Sequence, residues 1–198
     1  MNNSLDTRSK ILQVAIDAVG LRGEITVRQI SEKAGVNVAA INYHFGSKNN
    51  LLKEVENYYA EILYNMMKDV LLREGSNPKE KLVLWTNSLM EFMFKYPALI
   101  ALIANLATED REYNPILIQK VYLNEELENV ITLLIKESTG IREERILKYK
   151  YLQIFSGILG PIIGEVVSLT YGNKNHILNI SEKGQREEYI NMLIGSIL

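Results

Sequence analysis

Residues 26–48, TVRQISEKAGVNVAAINYHFGSK, constrain the fold of this chain more than any other stretch. Thr26 and Gln29 have the spacing of a capping box, which starts a helix by satisfying its first backbone amides. Gly35 then stands where a helix ends in the left-handed conformation, which costs glycine least. The pattern predicts one short helix that ends at Gly35.

A second short helix is predicted directly after that glycine. Asn37 is a favourable N-cap, and Gly46 ends the helix, which we place at about residues 38–44. Ile41 and Phe45 lie four residues apart, so they share one face and predict a buried side. The side chains predicted to point sideways or outward are Ala39, Ala40, Asn42 and Tyr43. Two such helices around a tight turn indicate a DNA-binding helix-turn-helix whose second helix contacts the bases.

The composition favours a soluble globular protein. Apolar residues make up 47% of the 198 residues, which is enough for a core. Uninterrupted apolar runs, such as residues 98–104 and 158–163, are too short to cross a bilayer. The first ten residues lack the apolar segment of a signal peptide. We therefore expect a cytoplasmic protein.

The charge distribution supports nucleic-acid binding only locally. The net charge of the chain is −2, which is poor support for a DNA-binding protein as a whole. Residues 1–55 carry seven Lys and Arg against five Asp and Glu, whereas the remainder carries 15 against 19. This difference has the sign expected of a basic head on an acidic body. The alternative function is a helical protein-interaction module with a degenerate helix-turn-helix that no longer binds DNA.

The rest of the chain also has the patterns of α-helices, and we predict nine helices without an internal repeat. Outside the motif we place them at residues 5–20, 47–73, 79–95, 98–106, 116–137, 142–169 and 181–197. Pro161 predicts a kink, and residues 171–180 are predicted to form a loop. The predicted fold is all-α, with a helix-turn-helix domain at residues 1–48 linked by a long helix to a helical domain at residues 49–198.

The run Ile41-Asn42-Tyr43-His44-Phe45-Gly46-Ser47-Lys48 is the most characteristic part of a longer ordered pattern. Its other members are Ile11, Leu12, Ala15, Gly23, Thr26, Val27, Ile30, Ala34, Gly35, Val36 and Leu51. With this pattern, residues 5–55 resemble the N-terminal domain of the TetR family of bacterial transcriptional regulators. The remaining three quarters of the chain resembles the family only in length, helical content and paired C-terminal helices.

The resemblance implies a homodimer that binds a double-stranded DNA operator, and it favours a repressor. It also implies that residues 49–198 enclose a pocket for a small-molecule effector and carry the dimer contact, and that effector binding releases the DNA. No enzymatic activity, cofactor or metal site is expected. The chain has no Cys, two His far apart in sequence, and no HExxH, GxSxG, Walker or GxGxxG pattern.

Ten residues are predicted to contact DNA. Phosphate contacts suit residues at helix starts or at matching family positions, namely Thr26, Arg28, Tyr43, His44 and Lys48. Contacts with base edges or thymine methyl groups suit Asn37, Val38, Ala39, Ala40 and Asn42. Four of the ten have a structural alternative: Thr26 as a cap only, Val38 as core, His44 as a structural histidine, and Lys48 as a solvated charge.

The effector and the dimer contact are assigned to the rest of the chain. Bulky, soft side chains predict an apolar or amphipathic effector; the candidates are Met66, Trp85, Met90, Met93 and Tyr122. Ordinary core packing is the alternative for each of them. The dimer contact is predicted on the last two helices at Gly157, Gly160, Gly164, Tyr189 and Leu193. Packing within one subunit is the alternative for the glycines.

Overall fold

The structure is a computed structural model that describes residues 2–22, 26–171 and 179–198. Within these ranges it contains nine α-helices and no strand, as the sequence predicts. They are α1 (Asn2–Arg22), α2 (Val27–Ala34), α3 (Val38–Phe45), α4 (Lys48–Leu71), α5 (Pro78–Lys95), α6 (Ala98–Glu109), α7 (Glu125–Thr139), α8 (Glu144–Tyr171) and α9 (Lys183–Ile197). A π-helical turn at Ile118–Tyr122 follows α6.

The chain forms two compact units. The first comprises Met1–Ile62 and Tyr96–Tyr122, and the second comprises Leu63–Lys95 and Leu123–Leu198. The first unit therefore holds α6 and the π-helical turn together with the helix-turn-helix. The domain division predicted between residues 48 and 49 rests on the motif alone and stays a prediction.

In the first unit, α1 covers the inner side of the helix-turn-helix. Four apolar side chains of α1 are buried there, namely Ile11, Ala15, Ile16 and Val19. This helix packs against α2 and α3, whose inner residues Ile30 and Ile41 are fully buried. Tyr59 of α4 donates its hydroxyl to the carbonyl oxygen of Ile16 at 2.9 Å. Burial raises the pKa of Tyr59 to about 12, so the hydroxyl keeps its proton at neutral pH.

Polar side chains of α4 hold residues 109–122, which we call the α6–α7 segment. The carboxylate of Glu56 is fully buried and accepts three hydrogen bonds from this segment. The donors are the Tyr113 hydroxyl at 2.6 Å and the backbone amides of Ile116 at 3.2 Å and Leu117 at 2.6 Å. A buried carboxylate is tolerated only when its oxygens are satisfied in this way. Glu56 therefore anchors the segment to α4.

Neighbouring contacts reinforce this anchor. Lys53 binds the carboxylate of Asp110 at 2.7 Å, and its ammonium group lies 4.7 Å from the centre of the Tyr113 ring. The hydrogen bond from Lys53 lowers the pKa of Asp110. Burial, followed by the hydrogen bond to Glu56, raises the pKa of Tyr113. At neutral pH, Asp110 is therefore ionised and Tyr113 is protonated, which are the forms that make these bonds.

The single helix predicted over residues 116–137 is wrong. The π-helical turn ends at Tyr122, and α7 begins only at Glu125. Asn124 caps α7, because its side chain accepts a hydrogen bond from the backbone amide of Leu127 at 3.0 Å. The continuous apolar pattern hid this break, which the N-cap and the acidic residues after it produce.

In the second unit, α5 packs against α7, α8 and α9. Trp85 of α5 is fully buried, and its ring centre lies 5.4 Å from that of Phe155 on α8. Arg186 of α9 is also buried and donates to Asn87 on α5 at 3.1 Å and to the carbonyl oxygen of Ser181 at 2.8 Å. These contacts join the last helix to the centre of the unit.

The helix α8 continues through Pro161 without a break. By length and composition, Glu144–Ser168 is apolar enough to cross a membrane, with a mean hydropathy of 1.3 and 28% of the apolar stretch buried. Uninterrupted apolar runs do not reveal this stretch, because polar residues divide it. The predicted loop at residues 171–180 falls largely on 172–178, which lie outside the described residues. The last helix begins at Lys183 because Glu182 is its N-cap and accepts from two backbone amides.

We predict that Glu56→Ala lowers the free energy of unfolding by about 3 kcal/mol, because one buried and two partly buried donors lose their fully buried acceptor. Urea denaturation followed by circular dichroism measures the change. Glu61→Ala is the matched control on α4, since Glu61 forms a partly exposed ion pair with Lys120 that is worth less than about 1 kcal/mol. Equal losses in the two variants would contradict the anchoring role of Glu56.

Candidate nucleic-acid interface

The first helix of the motif starts and ends as the sequence predicts. The hydroxyl oxygen of Thr26 accepts from the backbone amide of Gln29 at 3.2 Å. The Gln29 side chain accepts in return from the backbone amide of Thr26 at 2.9 Å, which completes the capping box. Gly35 ends α2 with φ at +66°, a conformation in which a side chain would be strained. The cap role of Thr26 is therefore confirmed.

The second helix, α3, extends one residue beyond the predicted end. The side-chain oxygen of Asn37 accepts from the backbone amide of Ala40 at 2.8 Å, as expected of an N-cap. Gly46 ends the helix with φ at +74°. Ile41 is fully buried and Phe45 is 6% exposed, so the predicted inner face is confirmed. The eight residues of α3 are thus attached to the core along one face.

The opposite face of α3 is open to solvent. Tyr43 is 82% exposed and Val38 is 43% exposed, so Val38 does not belong to the core. Asn37, Ala39 and Asn42 are exposed as well, whereas Ala40 and His44 are half-buried. The ring centre of His44 lies 5.0 Å from that of Tyr43 and 6.5 Å from that of Phe45.

Basic side chains flank α3 without belonging to it. Arg28 of α2 has an 85% exposed side chain and binds Glu32 one turn later at 3.0 Å. An exposed pair of this kind is worth less than about 1 kcal/mol, so Arg28 can exchange Glu32 for a phosphate at little cost. Lys48, at the start of α4, is half-buried, and Thr26 at the start of α2 is exposed.

A further lysine lies beside the turn and was not among the predicted residues. The ammonium nitrogen of Lys10 on α1 would lie 3.8 Å from a Cβ atom at Gly35. Both residues are exposed, so Lys10 adds positive charge at the turn between α2 and α3. The sequence contains no signal for this proximity, because Lys10 and Gly35 lie 25 positions apart and are brought together only by the packing of α1 against α2.

Two polar contacts hold the junction between α3 and α4. The Ser47 hydroxyl oxygen accepts from the backbone amide of Asn50 at 3.1 Å, so Ser47 acts as the N-cap of α4. The Asn50 side chain donates to the carbonyl oxygen of Phe45 at 3.0 Å, one of the free carbonyls at the end of α3. With the Asn37 cap at its start, α3 is therefore held at both of its ends.

The residues predicted to bind an effector fall in both units. Trp85, Met90 and Met93 lie on α5 in the second unit, and all three are buried. Met66 is half-buried in the second unit, whereas Tyr122 is 40% exposed in the first unit. In the described part of the chain, no three His, Asp or Glu side chains are grouped so that they could hold a metal ion.

The residues predicted at the dimer contact divide into two groups. A Cβ atom at Gly157 would lie 2.5 Å from Leu193 of the same chain, and the Tyr189 hydroxyl donates to the Gly157 carbonyl oxygen at 2.6 Å. These three residues therefore pack α8 against α9. At Gly160 and Gly164 an added Cβ would meet nothing within 4 Å.

Comparison with known proteins agrees with this geometry. Residues 11–55 match the family described as bacterial regulatory proteins, tetR family. The chain is also 37% identical over 79 residues to the HTH-type transcriptional regulator BetI of Vibrio vulnificus (strain YJ016). That match covers 40% of this chain and 38% of the relative, so the chain spans well under half of the curated relative in this comparison.

Solved structures share the fold over nearly the full length. A transcriptional regulator from Rhodococcus sp. Rha1 matches with a TM-score of 0.63 and 16% identity, over 96% of this chain and 95% of that chain. A TetR family transcription regulator from Marinobacter aquaeolei VT8 matches with a TM-score of 0.57 and 16% identity, over 99% and 98% of the two chains. At this identity the likeness shows the fold alone. The family match over residues 11–55, the curated relative and the shared fold together support a tetR-family regulator.

Proposed function

We propose that the protein is a cytoplasmic, homodimeric repressor that binds a DNA operator and releases it when a small molecule binds the second unit. The observation that carries this proposal is the open face of α3 within a helix-turn-helix of the tetR family. This face needs no partner inside the protein, and the short side chains of Ala39 and Ala40 let the helix enter a major groove closely.

Two sets of residues share the contact with DNA in this proposal. Thr26, Arg28, Tyr43, His44 and Lys48 bind phosphates and position the helix. Asn37, Val38, Ala39, Ala40 and Asn42 face the base edges. Lys10 joins the first set, because its ammonium group lies at the exposed turn before α3. Since the whole chain is acidic, the affinity has to come from this local group of cations and donors.

A second copy of the chain is proposed to cover α8. Leu152, Leu159, Ile163 and Val167 recur at intervals of seven and four residues, so they form one stripe, and they are 38–52% exposed. Gly160 and Gly164 beside the stripe leave room for the close approach of another helix. An apolar stripe of this length on a protein surface is typical of an interface.

The stripe continues into a groove between α8 and α9. The groove has a volume of about 600 Å³, and its lining includes Tyr149, Leu152, Ser156, Leu193, Ser196 and Ile197. In a two-fold dimer the same surface is used by both subunits, so a ridge and a groove on one face can complement each other. A dimer also presents two copies of α3 to two half-sites of one operator.

Unsatisfied polar atoms in the second unit support an effector site there. Among the described residues, Trp85 Nε1, Thr86 Oγ1 and Thr132 Oγ1 are buried without a hydrogen-bond partner. Such atoms cost about 1–3 kcal/mol each, and an incoming ligand with hydrogen-bonding groups offsets that cost. The apolar surroundings of Trp85 and Met90 favour an amphipathic compound.

Tyr43→Ala is expected to weaken operator binding about tenfold, because the exposed hydroxyl loses a charge-assisted bond to phosphate. A gel-shift titration with the DNA upstream of the gene measures this loss. Tyr43→Phe, which keeps the ring, is expected to lose a similar amount. Because Tyr43 is 82% exposed, neither variant should change the melting temperature. Unchanged affinity in both variants would remove Tyr43 from the interface.

Ile163→Asp is expected to convert the dimer to a monomer and to weaken operator binding, since a charge then lies in the apolar stripe. Sedimentation velocity and gel shifts at increasing salt measure the two effects. Leu72→Asp is the matched control, because Leu72 is 54% exposed, close to the 52% of Ile163, but lies at the end of α4. This control should remain dimeric and bind DNA with the wild-type salt dependence.

The same measurements separate the two candidate functions. A wild-type protein that is monomeric, or an Ile163→Asp variant that stays dimeric, would contradict the proposed interface. A dimer without salt-dependent DNA binding would favour the helical protein-interaction module, which the net charge of −2 also suits.

Thr86→Val is expected to raise the free energy of unfolding of the effector-free protein by about 1 kcal/mol, because a buried, unpaired hydroxyl is removed. Urea denaturation measures the change. Thr139→Val is the control, since the Thr139 hydroxyl donates to the Ile135 carbonyl oxygen at 2.8 Å, and its loss should destabilise the protein. If both substitutions destabilise equally, the polar lining proposed for the effector site is wrong.

A further inference from the structure

The exposed face of α3 presents neither a positive nor a negative side chain. Its outward residues are Asn37, Val38, Ala39, Asn42 and Tyr43, and the helix contains no Lys, Arg, Asp or Glu. Arg and Lys are the usual partners of the guanine O6 and N7 atoms, and Asp and Glu accept from the cytosine amino group. The helix therefore lacks the common partners of both bases in a G·C pair.

Two arginines of the first unit, Arg8 and Arg28, are engaged outside α3. Arg8 donates to both carboxylate oxygens of Glu54, at 2.6 and 2.7 Å, and its guanidinium group lies 4.9 Å from the centre of the Phe45 ring. Arg28 lies on α2 and pairs with Glu32. These positions suit a structural role for Arg8 and a phosphate contact for Arg28. Neither residue places a guanidinium group on α3, where it could make a bidentate contact with guanine.

The two asparagines of the motif differ in their availability. The side-chain oxygen of Asn37 is used in the cap, where it accepts from the Ala40 amide at 2.8 Å. Asn42 is exposed, and its side-chain amide has no hydrogen-bond partner among the described residues. Reading adenine needs both ends of an amide, because the oxygen accepts from N6 and the nitrogen donates to N7. Asn42 meets this requirement, whereas Asn37 would have to give up its cap.

Val38 and Ala39 complete the face with methyl groups. Val38 is 43% exposed and Ala39 is also exposed, although neither gains from contact with water. The complementary group in the major groove is the C5-methyl of thymine, which cytosine lacks. Apolar burial of about 25 cal/mol per Å² then favours thymine over cytosine at the contacted positions.

We propose that α3 reads A·T base pairs: Asn42 pairs with one adenine in each half-site, and Val38 and Ala39 contact thymine methyl groups. This inference rests on the proposed function, because it specifies the operator that the same helix recognises. It makes Asn42 the residue that determines the preference for adenine by direct readout. Arg28 and Lys48 contribute affinity without base preference.

The test is a selection of bound duplexes from a random DNA library with the full-length protein at one fixed salt concentration. The wild type is expected to enrich half-sites whose contacted positions are A·T pairs. Asn42→Ala is expected to lose the adenine preference at one position in each half-site by about tenfold, within the range of one bidentate contact. Arg28→Ala is the control and is expected to weaken binding to all sequences alike.

Modified bases locate the contacts at atomic level. Replacing the adenine read by Asn42 with 7-deazaadenine removes N7, so it should weaken the wild type but leave Asn42→Ala unchanged. Replacing thymine with deoxyuridine removes the methyl group, so it should weaken the wild type more than Val38→Ala at one position. Asn42 is exposed, so its substitution leaves the fold intact, which circular dichroism checks.

Three outcomes overturn the inference. The first is a G·C pair enriched at the position that responds to Asn42→Ala. The second is a uniform loss of affinity in Asn42→Ala, equal to that of Arg28→Ala, which would make Asn42 a phosphate contact. The third is a wild-type protein that enriches no sequence, which also overturns the proposed function and is thereby distinguishable from the first two.

Discussion

The structure depends on how the two turns of α3 divide their side chains between a buried face and an exposed face. One face of α3 buries Ile41 and Phe45, and both helix ends are satisfied by neighbouring groups, through the Asn37 cap and the bond from Asn50 to the Phe45 carbonyl. The free backbone groups of a short helix would otherwise need water or a partner. Because these contacts suffice to hold α3, the face with Asn42 and Tyr43 is not needed for stability and is available for a ligand.

A second constraint is the buried carboxylate of Glu56. A charge removed from water is tolerated only with several donors, and here the α6–α7 segment supplies all three. This requirement brings Tyr113 and Leu117 into the same compact unit as the helix-turn-helix. The unit that holds the residues proposed to contact DNA is therefore larger than the sequence motif. The helix α4, which follows α3 directly, is held by residues far along the chain.

The helix α8 buries one apolar face and exposes another. Ile154, Ile158 and Ile162 face the core of the second unit, while the stripe with Ile163 remains exposed on a neighbouring face. A helix that is apolar on more than one face needs more than one partner to be covered. The α9 helix supplies part of that cover, because Leu193 packs closely against Gly157. The stripe that remains is the surface assigned to a second copy in the proposed dimer.

Local patterns were sufficient for most of the fold and for the buried and exposed faces of α3. The cap residues Thr26 and Asn37, the glycines at 35 and 46, and the four-residue spacing of Ile41 and Phe45 determined α2, α3 and the inner face of the motif. These signals act between residues a few positions apart, so they can be read from one sequence. The same reasoning failed at Asn124, where a long apolar pattern concealed a helix start. Only the tertiary structure decided that Glu56 binds Tyr113, that Lys10 lies beside Gly35, and that Gly157 packs within its own chain, because such contacts depend on the packing of helices that are distant in sequence.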